Sequence, residues 1–491
     1  MPERPNVLFI MADQLSALAL PGYGNPTVRA PHLDDLSARG VTFANHYNNC
    51  PLCVPSRTSM YAGRLAASLR CFDNGALFPA DVPTFLHHLR MADYEVVSSG
   101  KQHFVGPDQL HGYERRLTTD IYPSGFGWTK DWSAPVRPAL GMVGHLKHAG
   151  PVPWTTQLRY DEEVHFRALE QLREWGADAR RGGLQRPFFF CVSYTHPHDP
   201  PLIAQQWWDM YEGVDIDMPV APPDPDAPLP AADRWLVEYL GLDQIDLTEE
   251  DVRRSRRGYY AMTSYFDARV GGLLAALEAQ GLAENTIVIV TSDHGDMVGE
   301  HGLWFKRSYY EWSARVPFIV AAPGRYPEGR RVEAVTSLVD LYPTLLEMLG
   351  LELPAWVELD GSSYAPLLTG EAPGWKDEAI VDFTSAGAAH PWRAVRQGRY
   401  KYVAVYTGEP LLFDLERDPH EWHNLAGRSE VAEVEARLCA RAHEGWEPER
   451  IDADERRYQQ QRLYLHQANR RNAEHSWDYQ PFFDAAHMYA R

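Results

Sequence analysis

The segment Cys53-Val54-Pro55-Ser56-Arg57, continuing through Thr58-Ser59-Met60-Tyr61-Ala62-Gly63-Arg64, carries the most chemically informative thiol in the chain. With Cys50 it makes Cys50-Pro51-Leu52-Cys53, a spacing that suits a redox couple or half of a zinc site. A zinc site needs two more thiolate or imidazole ligands, and the sequence holds no second pair of this kind. Other titratable residues follow apolar runs. Val7 to Met11 leads to Asp13-Gln14, Tyr94 to Val97 leads to Lys101 and His103, Phe188 to Val192 leads to His198, and Ile287 to Val290 leads to Asp293-His294. One aspartate after a strand is commonly a turn former or a helix cap. Four runs that all end this way point instead to a shared edge, because open α/β sheets bind ligands beyond the carboxyl ends of their strands.

The runs are separated by amphipathic segments, the pattern of a parallel sheet covered on both faces. A helix is predicted from Pro31, a favoured first-turn residue, through Leu33 and Leu36 to Gly40, followed by a strand from Val41 to Ala44. Further helices are predicted over Pro83 to Met91, around Leu169, Leu172 and Trp175, and over Tyr265 to Ala279, with another strand over Val316 to Ala321. Leu202 to Glu250 is rich in proline and acid without a clear period, and reads as an insertion or long surface loop with no catalytic role. Short strands over Trp392 to Arg396, Tyr400 to Tyr406 and Leu411 to Phe413, with a turn at Gln397-Gly398, predict a smaller antiparallel sheet. The fold class is therefore α/β: a large, mostly parallel sheet with helices on both faces plus a small antiparallel subdomain. The expected organisation is a catalytic domain over 1–375, the small subdomain over 376–450, and a helix with an aromatic tail, Trp477 to Phe483, over 451–491, docked near the active site.

Lysine and arginine number 47 against 67 aspartates and glutamates, and the net charge of −20 repels phosphate backbones and anionic membrane surfaces. Nucleic acid and membrane partners are not expected. No run approaches the roughly 20 apolar residues of a membrane span, and the N-terminal apolar stretch is too short for a secretory signal. Five cysteines, an odd number in a long chain, favour reduced thiols over a disulfide framework, and a cytoplasmic location is expected.

The Cys53 segment resembles the signature of the formylglycine-dependent sulfatases of the alkaline phosphatase superfamily, in which the cysteine is oxidised to formylglycine by a separate maturation enzyme. The resemblance implies an alkaline-phosphatase-like fold and a metal site at Asp13, Gln14, Cys53, Asp293 and His294. Oxygen ligands favour calcium, the imidazole keeps manganese open, and magnesium is also compatible. It further implies that Arg57, Lys101, His103, His198 and Lys306 surround the nucleophile and the sulfate. In the mechanism it implies, a hydrated aldehyde attacks sulfur and then collapses to release sulfate, with His198 or Lys306 protonating the departing alcohol.

Within that family the sequence is most similar to choline sulfatases, through Phe72-Asp73-Asn74, Phe78 to Phe85, His103 to Gly112, Asp120 to Pro123 with Phe126-Gly127-Trp128, Thr195 to Pro200, Gly299 to Lys306 and the tail Trp477 to Tyr489. This likeness assigns Asn74, Trp128, His145 and Asp484 to the substrate, where an aromatic face and a carboxylate suit a quaternary ammonium. It departs at Ala386, where those enzymes carry a glutamate, a loss that weakens cation binding. The expected activity is hydrolysis of a small alkyl sulfate ester, choline-O-sulfate first, by a homo-oligomer, dimer or tetramer. A phosphonate monoester or phosphodiester hydrolase is the second reading, a sulfatase for another sulfate ester a third, and a non-catalytic anion-binding scaffold the reading outside enzymes.

Overall fold

A computed structural model describes residues 4–131, 139–370 and 372–471. Fourteen strands occur in chain order: β1 (Asn6–Ala12), β2 (Val41–Tyr47), β3 (Glu95–Gly100), β4 (Arg115–Arg116), β5 (Gly150–Pro151), β6 (Phe188–Ser193), β7 (Leu202–Ile203), β8 (Thr286–Ser292), β9 (Phe318–Ala321), β10 (Arg330–Ser337), β11 (Glu378–Phe383), β12 (Trp392–Gln397), β13 (Tyr400–Val405) and β14 (Leu411–Asp414). Eight form the main sheet in the order β10-β2-β9-β8-β1-β6-β3-β4. Only β9 runs antiparallel to its neighbours. The rest are parallel, as their uninterrupted apolar runs predict for strands buried on both faces.

Strand alternation divides the core in two. Leu8, Ile10 and Ala12 of β1 join Phe188, Phe190, Val288 and Val290 on one face, under the helices Thr156–Gly182 and Glu249–Ala279. Val7, Phe9 and Met11 join Phe189, Ile287 and Ile289 on the other, under the helices Cys53–Ala62 and Leu341–Met348. The helix predicted from Tyr265 begins sixteen residues earlier, at Glu249, where Thr248 and Asp251 form a reciprocal capping box.

The small sheet, β11-β12-β13-β14, is antiparallel throughout, with Gln397 opposite Tyr400 across the predicted turn. The proline-rich segment after Leu202 is more ordered than its composition suggests, since it contains the helix Ala231–Leu240, whose Ala232, Leu236 and Leu240 are buried. The aromatic tail from Trp477 lies outside the described residues. Among the described residues no helix is long and apolar enough to cross a membrane.

The last described helix, Pro448–Arg470, is fastened by Arg462, which is fully buried. Its guanidinium donates to Asp73 Oδ1 at 2.5 Å and Oδ2 at 3.0 Å, and to Glu455 Oε1 at 2.7 Å. Burial and the adjacent Asp73 push Glu455 up to about 8, so Arg462 offsets two carboxylates that repel each other. Arg462→Met is therefore expected to cost about 3–5 kcal/mol in urea unfolding, since it strands buried charge. A loss below about 1 kcal/mol would show that the triad is not a tether.

Candidate active site

Register brings the site together. Met11 of β1 and Gly100 of β3 both pair with Ser193 of β6, and Ala12 pairs with Ser292 of β8. The residues just past these ends, Asp13, Lys101 and Asp293, therefore stand side by side at one edge. All three are fully buried.

Cys53 reaches the same edge as the first residue of a ten-residue helix that is buried along its whole length. Leu52 has no side-chain oxygen to cap that helix, and the Val54 amide donates instead to Asn74 Oδ1 at 3.1 Å. Gly63, at φ 63°, closes the far end, where a Cβ would sit 2.9 Å from the Tyr342 ring. Four residues along the helix, Arg57 returns to the same face. Its Nε donates to Asp293 Oδ2 at 2.8 Å, and its Nη1 to Lys101 O at 2.7 Å and Ser193 Oγ at 2.9 Å. One guanidinium thus locks the nucleophile helix to the ends of β3, β6 and β8, while its Nη2 is buried without a partner.

Asp13, Cys53, Asp293 and His294 place one donor atom each within 4.8 Å of one another. Cys53 Sγ lies 3.2 Å from His294 Nε2 and 3.7 Å from Asp13 Oδ1. His294 Nδ1 faces the Gly295 carbonyl at 3.0 Å, which assigns the ring hydrogen there and leaves the Nε2 lone pair pointing into the group. Burial and the neighbouring Asp293 push Asp13 up, whereas His294 and Arg57 outweigh burial and hold Asp293 below the usual carboxylate range. Two buried carboxylates, one imidazole lone pair and residue 53 suit a divalent cation, which would neutralise like charges converging from two strands.

Gln14 stands at the same edge. Its backbone amide donates to Asp293 Oδ1 at 3.1 Å, and its side chain accepts from Lys306 Nζ and donates to Asp199 Oδ1 at 3.2 Å and Asp296 Oδ2 at 2.5 Å. Lys101 Nζ is paired with Asp13 Oδ2. Lys306 Nζ lies 2.6 Å from His198 Nε2, and His198 Nδ1 contacts Asp199 O at 2.8 Å. Burial and Lys306 lower the His198 pKa, but Asp199, Asp13 and Cys53 together hold the ring above its ordinary value. Burial likewise raises the Cys53 thiol, yet Lys101, Lys306 and His294 together hold it well below the usual range. The His103 ring is buried beside Cys53, and burial lowers its pKa while Cys53 opposes that. In a chain of net charge −20, this is a local concentration of positive charge.

The residues assigned to the substrate separate. Trp128 is 43% exposed, beside the site, 5.2 Å edge-on from His103 and 5.0 Å from Tyr122. Asn74 acts through the helix cap described above. His145 is exposed on the helix Leu140–Lys147, and no hydrogen bond or ring contact among the described residues joins it to the Cys53 group. Asp484 lies outside the described residues. Tyr122 was missed by sequence reasoning. Its ring sits 4.5 Å from Lys101 Nζ, 4.9 Å from His103 and 5.9 Å from His198. Asp199, beside His198, and Asp296, beside Gln14, were missed as well. Asp296 lies three residues past the recognised Asp293, so only its side-chain direction was hidden.

The sulfatase family model matches residues 5–351. The chain belongs to the sulfatase family. A second model, N-sulphoglucosamine sulphohydrolase, C-terminal, matches residues 299–446 of this sulfatase. Choline-sulfatase of Rhizobium meliloti is 40% identical, covering 99% of this chain and 96% of that one. Arylsulfatase K of Xenopus laevis is 27% identical over 89% of this sulfatase and 82% of its own length. Among solved structures, the phosphonate monoester hydrolase of Agrobacterium radiobacter superposes with a TM-score of 0.69 at 27% identity, covering 92% and 96%. Sulfatases in general use a formylglycine and a divalent metal, and the buried cluster here has the chemistry to hold one.

Proposed function

We propose that this sulfatase hydrolyses a small alkyl sulfate ester with residue 53, matured to formylglycine, as nucleophile. The observation that carries the reading is the position of Cys53: at a helix start, within 3.7 Å of His294 and Asp13, ringed by Lys101, His103 and Lys306. The hydrated formylglycine offers two hydroxyls on one carbon, one to attack sulfur and one whose deprotonation expels sulfate, and a divalent cation held by Asp13, Asp293 and His294 supplies the charge that lowers their pKa. Arg57 orients the nucleophile helix and keeps Nη2 for a residue-53 oxygen. Lys101 and Lys306 bind the non-bridging and bridging oxygens of the ester as point charges, and His103, beside residue 53, supplies a further site for a proton. His198, held by Asp199 and touching Lys306, delivers the proton to the departing alkoxide.

The fold also favours a second reading, hydrolysis of phosphonate monoesters, because a structural relative at 27% identity carries that name and tetrahedral phosphorus fits the same edge. Choline-O-sulfate is supported by the 40% identity to choline-sulfatase and opposed by Ala386. Matured protein is expected to cleave propyl sulfate at least about tenfold more efficiently than phenyl phenylphosphonate, to lose activity on chelation, and to regain it with calcium or manganese. Equal or better turnover of the phosphonate would replace this reading with the second.

A further inference from the structure

The loop that delivers Lys101 and His103 to the site is held from outside by the chain that follows β4. That strand pairs with β3 in parallel, Arg115 opposite Val97 and Arg116 opposite Ser98. β4 ends there, but the same offset of eighteen residues continues through side chains: Thr118 Oγ1 accepts the Gly100 amide at 2.8 Å, and Asp120 Oδ2 accepts the Gln102 amide at 2.9 Å. Asp120 Oδ2 also accepts the His103 amide at 2.7 Å and the Arg116 guanidinium at 2.8 Å, while Oδ1 accepts the Tyr122 amide at 3.3 Å. Burial pushes this carboxyl up, but Arg116, the His103 ring and the two loop amides outweigh it and hold it down to about 2, so the acceptor is an anion at any working pH.

The backbone so held is strained. His103 has a φ of 59°, a left-handed conformation that residues with a Cβ rarely adopt, and Gly100, at φ 106°, leaves no room for a Cβ, which would stand 1.9 Å from Ser193 O. A conformation of this kind persists only where the surroundings fix it. Lys101 is fixed independently, its amide donating to Ser193 O at 3.0 Å and its carbonyl accepting from Arg57 at 2.7 Å. Gln102 has a second anchor, since its Oε1 accepts from the hydroxyl of Tyr61, on the nucleophile helix, at 2.6 Å. The His103 amide goes to Asp120, and its ring is buried beside residue 53 with Tyr122, tied to the same carboxylate, 4.9 Å away.

We propose that Asp120 is a positioning residue, which turns the His103 ring onto residue 53 by holding the His103 amide in the left-handed conformation. The inference rests on the reading above in taking residue 53 as the nucleophile. Without the carboxylate the loop relaxes to an ordinary backbone conformation and carries the ring away from the reacting centre, while Lys101 keeps its own ties and still meets the ester.

Asp120→Asn and His103→Ala, singly and together, are to be assayed as full-length matured protein on propyl sulfate, with peptide mass over residue 53 so that rates are compared per matured site. Asp120→Asn is expected to lower kcat by about tenfold or more and to leave KM within about threefold of wild type. In the His103→Ala background the same substitution should change kcat by no more than about threefold, since the group it acts through is gone. Equal losses in the two backgrounds overturn the inference and make Asp120 a support of the fold, and an unchanged kcat in the single variant overturns it as well. Asp120→Glu keeps the charge beside Arg116 but displaces the acceptor by one methylene, and it gives the same cycle, with the same expected and overturning results, if Asp120→Asn does not fold. Matured wild type that hydrolyses phenyl phenylphosphonate and no sulfate ester overturns the sulfate-ester reading alone, and the cycle is then read on the phosphonate by the same criteria. Inactivity on both overturns both.

Discussion

Cys53→Ala is expected to lower kcat on propyl sulfate by about 10⁴-fold or more, with the thermal midpoint little changed. The size follows from what disappears. Alanine leaves Lys101, Lys306 and His294 in place to bind an ester, but removes the only atom at that point able to form a bond to sulfur. No other thiol substitutes for it. Cys50, Cys71 and Cys191 are buried away from the cation cluster, and burial holds each thiol above its ordinary value. Stability changes little because Sγ contributes only two weak sulfur contacts, to His294 and Asp13, in a helix secured by Asn74, Gly63 and Arg57. Peptide mass over residue 53 is the companion measurement, since maturation removes about 18 Da from the cysteine residue. Full activity in the alanine variant would remove residue 53 from the chemistry altogether.

The edge that holds the chemistry was legible because two local signals coincide. Apolar runs set the strand ends, and parallel register converts strand ends into spatial neighbours, so Asp13, Lys101 and Asp293 meet although they lie far apart in sequence. Side-chain direction was not legible. Gln14, one residue from Asp13, meets Lys306 and Asp296 because a buried amide needs both a donor and an acceptor. Tyr122, within a segment that resembles choline sulfatases, was given no role for a related reason: the stretch from Lys101 to Lys130 follows no helical or strand period, and its aromatic rings gain meaning only by folding over Lys101 and His103.

Two misreadings of extent came from overlooked punctuation. Thr248-x-x-Asp251 announces the start of the long helix, but the unbroken apolar period becomes obvious only near Tyr265. Ala232, Leu236 and Leu240 recur every four residues, yet the prolines around them suggested a loop. The segment was given no catalytic role, and its helix supplies Tyr239, whose ring lies 5.4 Å from the guanidinium carbon of Arg307, the residue after Lys306. Prolines exclude helix only where they stand, and here they precede its first turn.

The second large effect is expected to depend on the alcohol. His198→Gln should lower kcat/KM on propyl sulfate by about 10²–10⁴-fold, the usual range for a positioned acid, and leave 4-nitrophenyl sulfate within about threefold of wild type. An alkoxide is a poor leaving group and needs its proton as the S–O bond breaks, whereas nitrophenolate departs unaided. The geometry argues for His198 as the donor. Its Nδ1 is fixed by the Asp199 carbonyl at 2.8 Å, which aims Nε2 towards Lys306 and the cluster, and against burial Asp199, Asp13 and Cys53 together hold the ring's pKa above its ordinary value. Lys306 has a different position, touching both His198 and the Gln14 amide, and its charge binds the bridging oxygen in either ester. Lys306→Ala is accordingly the control: equal losses on both substrates mark charge stabilisation, and a loss confined to propyl sulfate would transfer the acid's role from His198 to Lys306. If His198→Gln slows both esters alike, His198 positions the ester and is not its proton donor.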